Sequence, residues 1–278
     1  LSLDNKIAIE KKLTQVDNYN TKHIKEISIH FKRLQQQKKT SISINNSDRS
    51  SKKSNIKNIK NILAVYSGKG GVGKSTTSLL IAYALNKKGY KTAILDADIY
   101  GPSCHRLLGV GRDALQIKNK KLIPAKRHNI QCLSFGMLTH DYQATQWRGP
   151  ILTKAIQQLC FQSEWEEADW LVIDMPPGTG DVQMSIFESL EIKGVVAVTT
   201  PQDLALLDVK KSLSLVAKYD LNLYGILENM SFHQCTKCKH ISFPFGKIQP
   251  QEIIRDYGYK HLGAIALDQS LSKNNSPL

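Results

Sequence analysis

The chain has 278 residues, 41% of them hydrophobic, and a formal net charge of +14. That length suits one large α/β domain with an appendage. No apolar run approaches the roughly 18–20 residues that cross a bilayer, and the N-terminus has no secretory pattern, so no membrane partner is expected. Five cysteines (Cys104, Cys132, Cys160, Cys235, Cys238) are an odd set with no disulfide framework. They fit the reduced thiols of a cytoplasmic protein.

Residues 1–45 form a basic N-terminal segment with weak alternation at Ile27, Ile29 and Phe31 and at Ile42 and Ile44. Residues 46–60 are almost wholly Asn, Ser, Lys and Arg and read as a linker. Residues 1–62 hold 14 Lys/Arg against 5 Asp/Glu, so most of the positive excess lies there. Such a segment can bind nucleic acid or an acidic partner, although a solvated tail is the commoner case. The lack of interleaved aromatics and of any reader motif argues against nucleic acid. The chain opens on Leu1 rather than Met, which points to a missing N-terminal piece or a non-standard start.

From 61 to 278 the pattern becomes regular α/β alternation. Ile62–Tyr66 is an apolar, β-rich run; Thr76–Lys88 is a helix stopped by Gly89. Between them Gly68-Lys69-Gly70-Gly71-Val72-Gly73-Lys74-Ser75 fits the G-x-x-x-x-G-K-[ST] phosphate loop. Its glycines let backbone N–H groups close on phosphate oxygens at a helix N-terminus. Gly68, Lys69, Gly70, Gly71, Val72, Gly73, Lys74, Ser75 and Thr76 are therefore the expected contacts of a nucleoside triphosphate, which the resemblance given below implies is ATP. Lys74 would reach the terminal phosphates and Ser75 would hold Mg²⁺.

Further strands are expected at Thr92–Leu95, Ile130–Phe135, Trp170–Ile173, Val195–Thr200, Tyr224–Leu227 and Leu262–Leu267, and helices at Ile151–Phe161 and Leu204–Tyr219. The result is a doubly wound, mostly parallel sheet with helices on both faces, whose ligand lies beyond the carboxyl ends of the strands. There Asp96, Asp98 and Asp174 end two of the strands. Each alone could be an ordinary cap or turn residue; beside a phosphate loop, Asp174 would hold Mg²⁺ through water and Asp98 would position the attacking water. Pro176-Pro177-Gly178-Thr179-Gly180-Asp181, stiff at one end and glycine-rich at the other, suits a switch sensing the γ-phosphate or an ordinary strand-to-helix loop.

Cys235-x-x-Cys238 brings two thiolates to one soft metal. Zinc or an iron–sulfur cluster wants about four ligands, and a symmetric dimer would supply the other two. His233 and His240 flank the pair, so spacing alone leaves zinc and a cluster equally open. Cys104, Cys132 and Cys160 read as buried core thiols, with nothing pairing Cys104 to another ligand.

The string Ser67–Thr76 resembles the deviant Walker A loop of MinD/ParA-type ATPases. Asp96–Ser103, Trp147-Arg148-Gly149-Pro150, Asp174–Asp181, Thr200–Ala205 and Asn229-Met230-Ser231 followed by the cysteine pair narrow this to a resemblance to the Mrp/ApbC family of iron–sulfur cluster carriers, over about residues 60–268. The resemblance implies a P-loop NTPase fold and a slow ATPase. It implies a labile 4Fe-4S cluster held by Cys235 and Cys238 between two subunits of a homodimer and passed to apo iron–sulfur proteins. It further implies that Lys69 reaches the partner subunit's phosphates and that Asn229 recognises adenine. A MinD/ParA-type positioning or partition ATPase with a structural zinc site is the alternative. Relatives often carry an N-terminal helper domain, of which residues 1–45 would be a diverged version, and usually continue past the last strand, so a truncated copy is expected.

Overall fold

The computed structural model describes residues 53–138, 149–201, 213–247 and 259–268. The expected N-terminal segment 1–45, Trp147 and Arg148, and most of the expected helix 204–219 lie outside the described residues; residues 213–218 are helical.

Twelve strands are described: β1 (Ile59–Tyr66), β2 (Thr92–Asp96), β3 (Gln116–Lys118), β4 (Lys121–Ile123), β5 (Ala125–Arg127), β6 (Ile130–Ser134), β7 (Ala168–Asp174), β8 (Gly194–Thr199), β9 (Leu223–Glu228), β10 (His233–Gln234), β11 (Ile241–Ser242) and β12 (His261–Ala264). Among the described residues they are joined by the helices α1 (Lys74–Lys87), α2 (Cys104–Leu107), α3 (Gly149–Phe161) and α4 (Asp181–Ser189), besides the helical stretch 213–218. Eight strands form one sheet in the order β12-β9-β8-β1-β7-β2-β6-β5. All its pairings are parallel except β5 on β6.

The central strands are apolar throughout because both faces are covered. Ala64, Leu171, Ile173 and Leu95 point to a core layer shared with Leu152, Ile156 and Leu159 of α3 and Ile186 and Phe187 of α4. Leu63, Val65, Val172 and Ile94 point to the other, shared with Leu79, Ala82 and Leu85 of α1. This is the doubly wound arrangement expected from the alternation. β1 has β7 on one side and β8 on the other, so the loop after β1 opens into the crevice where ligands of such sheets bind.

The body reaches further toward the N-terminus than Asn61. Ile56 is 2% exposed, Ser54 bridges Leu190, and β1 begins at Ile59. The end of the segment expected to be linker thus belongs to the fold: one apolar side chain and a few backbone bonds suffice to hold a polar stretch. The last strand is shorter than expected, ending at Ala264 rather than Leu267.

Candidate nucleotide site and cysteine hairpin

Register brings the acidic strand ends together. Asp96 and Asp174 are partners across β2 and β7, Val65 pairs with Asp174 across β1 and β7, and Ser134 pairs with Asp96 across β2 and β6. The phosphate loop leaves β1 beside them. Gly71 and Gly73 have φ of 80° and 78°, the left-handed region that favours glycine. At Gly73 a Cβ would also run into Nδ2 of Asn229.

Lys74 opens α1 and turns inward, 6% exposed. Its Nζ donates to Asp174 Oδ1 at 2.9 Å and lies 3.5 Å from Asp98 Oδ2. Burial opposes its charge, but Asp174 and Asp98 outweigh that and hold its pKa above the ordinary value. Asp174 Oδ1 also accepts from Ser78 Oγ at 2.7 Å, and Oδ2 accepts from the Cys104 thiol at 3.5 Å. Asp98 is pushed up by burial, against the downward pull of Lys74.

Asp96 organises the loop that carries Asp98. Its Oδ2 accepts from the N–H groups of Ser103 and Cys104, both at 2.9 Å, and from Ser134 Oγ at 2.8 Å; its Oδ1 accepts from the Asp98 N–H at 3.1 Å. Both ends of the 97–104 loop are thereby tied to one buried carboxyl. Burial first, then the nearby Asp174, raises that carboxyl to about 7.

The Pro176–Asp181 loop docks on the root of the phosphate loop. Tyr66 Oη donates to Gly178 O at 2.6 Å, Gly178 N–H donates to Ser67 O at 3.1 Å, and Gln183 Nε2 donates to Pro177 O at 2.6 Å.

Of the sequence-expected residues, Lys74, Asp98 and Asp174 converge. Val72 is buried, Gly68, Gly73, Ser75 and Thr76 are half-buried, and Lys69, Gly70 and Gly71 are exposed. Asn229 is buried and donates from Nδ2 to Val72 O at 2.8 Å. Cys104 differs from expectation, since its thiol does meet Asp174. Asp96, Cys104 and Asp174 place ligand atoms within 4.8 Å of one another. Spacing could not show this, because the contact crosses from α2 to β7. Ser78, Ser134 and Tyr66 were missed for the same reason.

The cysteines form a separate unit. β10 and β11 pair antiparallel, His233 with Ser242 and Gln234 with Ile241, and Cys235 and Cys238 lie in the connecting turn. Cys235 N–H donates to His240 O at 2.9 Å and Lys239 N–H to Cys235 O at 3.0 Å. The Cys235 sulfur accepts from the N–H groups of Cys238 and Lys237, which hold its pKa below the ordinary thiol value. Cys104, Cys132 and Cys160 are buried, and burial pushes Cys160 up to about 12.

Residues 58–277 match the family described as NUBPL iron-transfer P-loop NTPase, of the ParA group. This chain belongs to that family. It is 41% identical over 215 residues to an iron–sulfur cluster carrier protein of Aquifex aeolicus, spanning 77% of this chain and 59% of that one. Against the iron–sulfur cluster carrier protein of Pseudomonas fragi it is 42% identical over 207 residues, 74% of this chain and 72% of that one. The chain thus spans about three-fifths of the first relative's length. A nucleotide-binding protein of Archaeoglobus fulgidus, solved with ADP and with cobalt found, superposes with a TM-score of 0.68 at 33% identity, covering 79% of this chain and 86% of that one. The resemblance read from the motifs and the P-loop NTPase fold are both borne out.

Proposed function

We propose that this chain is an ATP-hydrolysing iron–sulfur cluster carrier. It binds ATP with Mg²⁺ at the phosphate loop, holds a labile 4Fe-4S cluster between Cys235 and Cys238 of two copies in a homodimer, and passes it to apo iron–sulfur proteins in the cytoplasm. The names of its relatives support the carrier reading. The observation that carries it is the cysteine turn. Two backbone N–H groups point at the Cys235 sulfur, which favours thiolate, the form that ligates metal. The turn offers two thiolates per chain at an accessible position, and a two-fold axis doubles them.

At the nucleotide site the residues fit a hard cation and polyphosphate. Lys74 already faces oxygen anions; it would bind the β- and γ-phosphates, and the loop N–H groups would surround them. Ser75 and Asp174 would hold Mg²⁺, which neutralises charge on the transferring phosphoryl group. Asp98, next to Lys74, positions the attacking water. Lys69, exposed at the loop tip, would reach a partner's phosphates, and Asn229, which packs on the phosphate loop at Val72, would recognise adenine.

Anaerobic reconstitution with iron and sulfide tests the reading. Four iron and four sulfide per dimer, with a broad visible absorbance lost in the Cys238→Ala variant, is the expected result. Stoichiometric zinc that iron does not replace would overturn it in favour of a structural zinc site on a positioning-type ATPase.

A further inference from the structure

Asn229-Met230-Ser231 follows β9, is hydrogen-bonded to the phosphate loop and to Ile265, and runs on through Phe232 into the β10–β11 hairpin that carries the cysteines. On the nucleotide side, the Asn229 N–H donates to Thr199 O at 2.7 Å and Nδ2 donates to Val72 O at 2.8 Å. The amide also sits where a side chain at Gly73 would be, so Asn229 is packed directly on the backbone of Val72 and Gly73.

On the cysteine side, Ser231 N–H donates to Ile265 O at 2.9 Å, Ile265 N–H to Glu228 O at 2.7 Å, and Leu267 N–H to Phe232 O at 2.7 Å. Residues 228–232 are thereby laced to 265–267. Met230 takes φ 55°, uncommon for a residue with a side chain, and makes the turn. A buried clamp closes that turn. Glu228, 2% exposed, accepts from Ser231 Oγ at 2.6 Å through Oε1, and its Oε2 lies 3.5 Å from His261 Nε2. β10 starts two residues after Ser231, and Cys235 follows it.

We infer that Glu228 and Ser231 are positioning residues that transmit the state of the phosphate loop to Cys235 and Cys238. The inference rests on the proposed nucleotide-dependent carrier. Closing of Val72 and Gly73 around phosphates displaces Asn229. With the clamp intact, the 228–232 segment moves as a unit and carries the root of the β10–β11 hairpin with it. Without the Ser231 hydroxyl, the turn at Met230 absorbs the displacement. The coupling has a physical route: a segment hydrogen-bonded to the phosphate loop at one end continues along the chain into the hairpin that carries Cys235.

The test is alkylation of Cys235 and Cys238 in the full-length, metal-free chain, read by peptide mass, with and without ATP and Mg²⁺. Samples are compared at equal dimer fraction by size exclusion. In the wild type, nucleotide slows alkylation about fivefold or more, the lower end of typical coupling between linked sites. In Ser231→Ala the nucleotide effect shrinks to under about twofold while ATP affinity stays unchanged, and Ser231→Thr, which keeps the hydroxyl, restores it. Glu228→Gln gives a second reading through the acceptor side of the clamp. An undiminished response in both Ser231→Ala and Glu228→Gln would overturn the inference, as would a wild type that binds ATP and shows no change in alkylation. A wild type that binds no ATP would overturn the proposed function itself, so the two failures are told apart by the binding isotherm.

Discussion

Lys74 meets two carboxylates in the fold and would meet phosphate oxygens in function, so its removal acts on both. Lys74→Ala deletes a charge-assisted contact of roughly 1.5–3 kcal/mol, which predicts ATP affinity weaker by about 10- to 100-fold. Calorimetric titration measures it, with circular dichroism confirming the fold; unchanged affinity would remove Lys74 from the site. Lys69 is exposed, 1 residue past Gly68, so Lys69→Ala is expected to leave ATP binding within about twofold and to slow hydrolysis by about a hundredfold, the scale of one lost transition-state donor. Equal loss in both would count against a role across the dimer. Asp96 adds a pH dependence. Its folded pKa is raised from 3.8 to about 7, so between those values the folded chain keeps a proton that the unfolded chain has lost. Stability therefore falls as pH rises through that window and levels off above it. Urea midpoints at about pH 5, 6 and 7.5 in buffer without nucleotide or magnesium should decrease in that order; a rising series would contradict the assignment.

At the level of elements, the strands buried on both faces were legible because their short apolar runs are bounded by polar residues, Asp96 and Asp174 among them, and the phosphate loop because its glycines are needed for φ and close approach. The short hairpins were not. β3 and β4 are three residues each, and the turn between them uses Asn119 and Lys120 at φ 50° and 62°. The β5–β6 turn uses His128 and Asn129 at φ 49° and 60°. Neither pair carries the glycine that makes such turns readable. The β10–β11 hairpin hid in the same way: its strands are two residues long, and the metal-type cysteine turn was read as ligand spacing rather than as a hairpin. The contacts of Ser78 and Cys104 with Asp174 were invisible because side-chain convergence between separate helices and strands follows the packed fold, which sequence spacing does not encode. The hairpin's place outside the phosphate loop has a consequence. Cys235→Ala should abolish iron uptake yet leave ATP affinity within about twofold, since the substitution sits on an exposed turn outside the phosphate loop. Iron analysis beside a nucleotide titration checks it, and a matching loss of ATP binding would mean the two units are one site.

For the whole molecule, the sheet and its two core layers account for the P-loop NTPase fold, and the question becomes where the folding unit starts. Ser54 N–H donates to Ser189 O at 3.0 Å, Asn58 O accepts from the Ala168 N–H at 2.9 Å, and Asn58 Nδ2 donates to Trp165 O at 2.8 Å. Ile59 pairs with Ala168 at the foot of β1, and Ile56 fills the α3–α4 core layer. A chain beginning at Lys53 keeps all of this and should match the full chain in ATP affinity and thermal midpoint. One beginning at Asn61 loses the burial of Ile56, worth roughly 1.5–3 kcal/mol, together with the edge bonds. For a domain of this size about 3 kcal/mol lowers the midpoint by roughly 6–12 °C. Differential scanning calorimetry on the two truncations decides the boundary. Equal midpoints would make residues 53–60 a linker after all, whereas a loss of ATP binding in the Lys53 chain would show that the basic segment before it takes part in the nucleotide site.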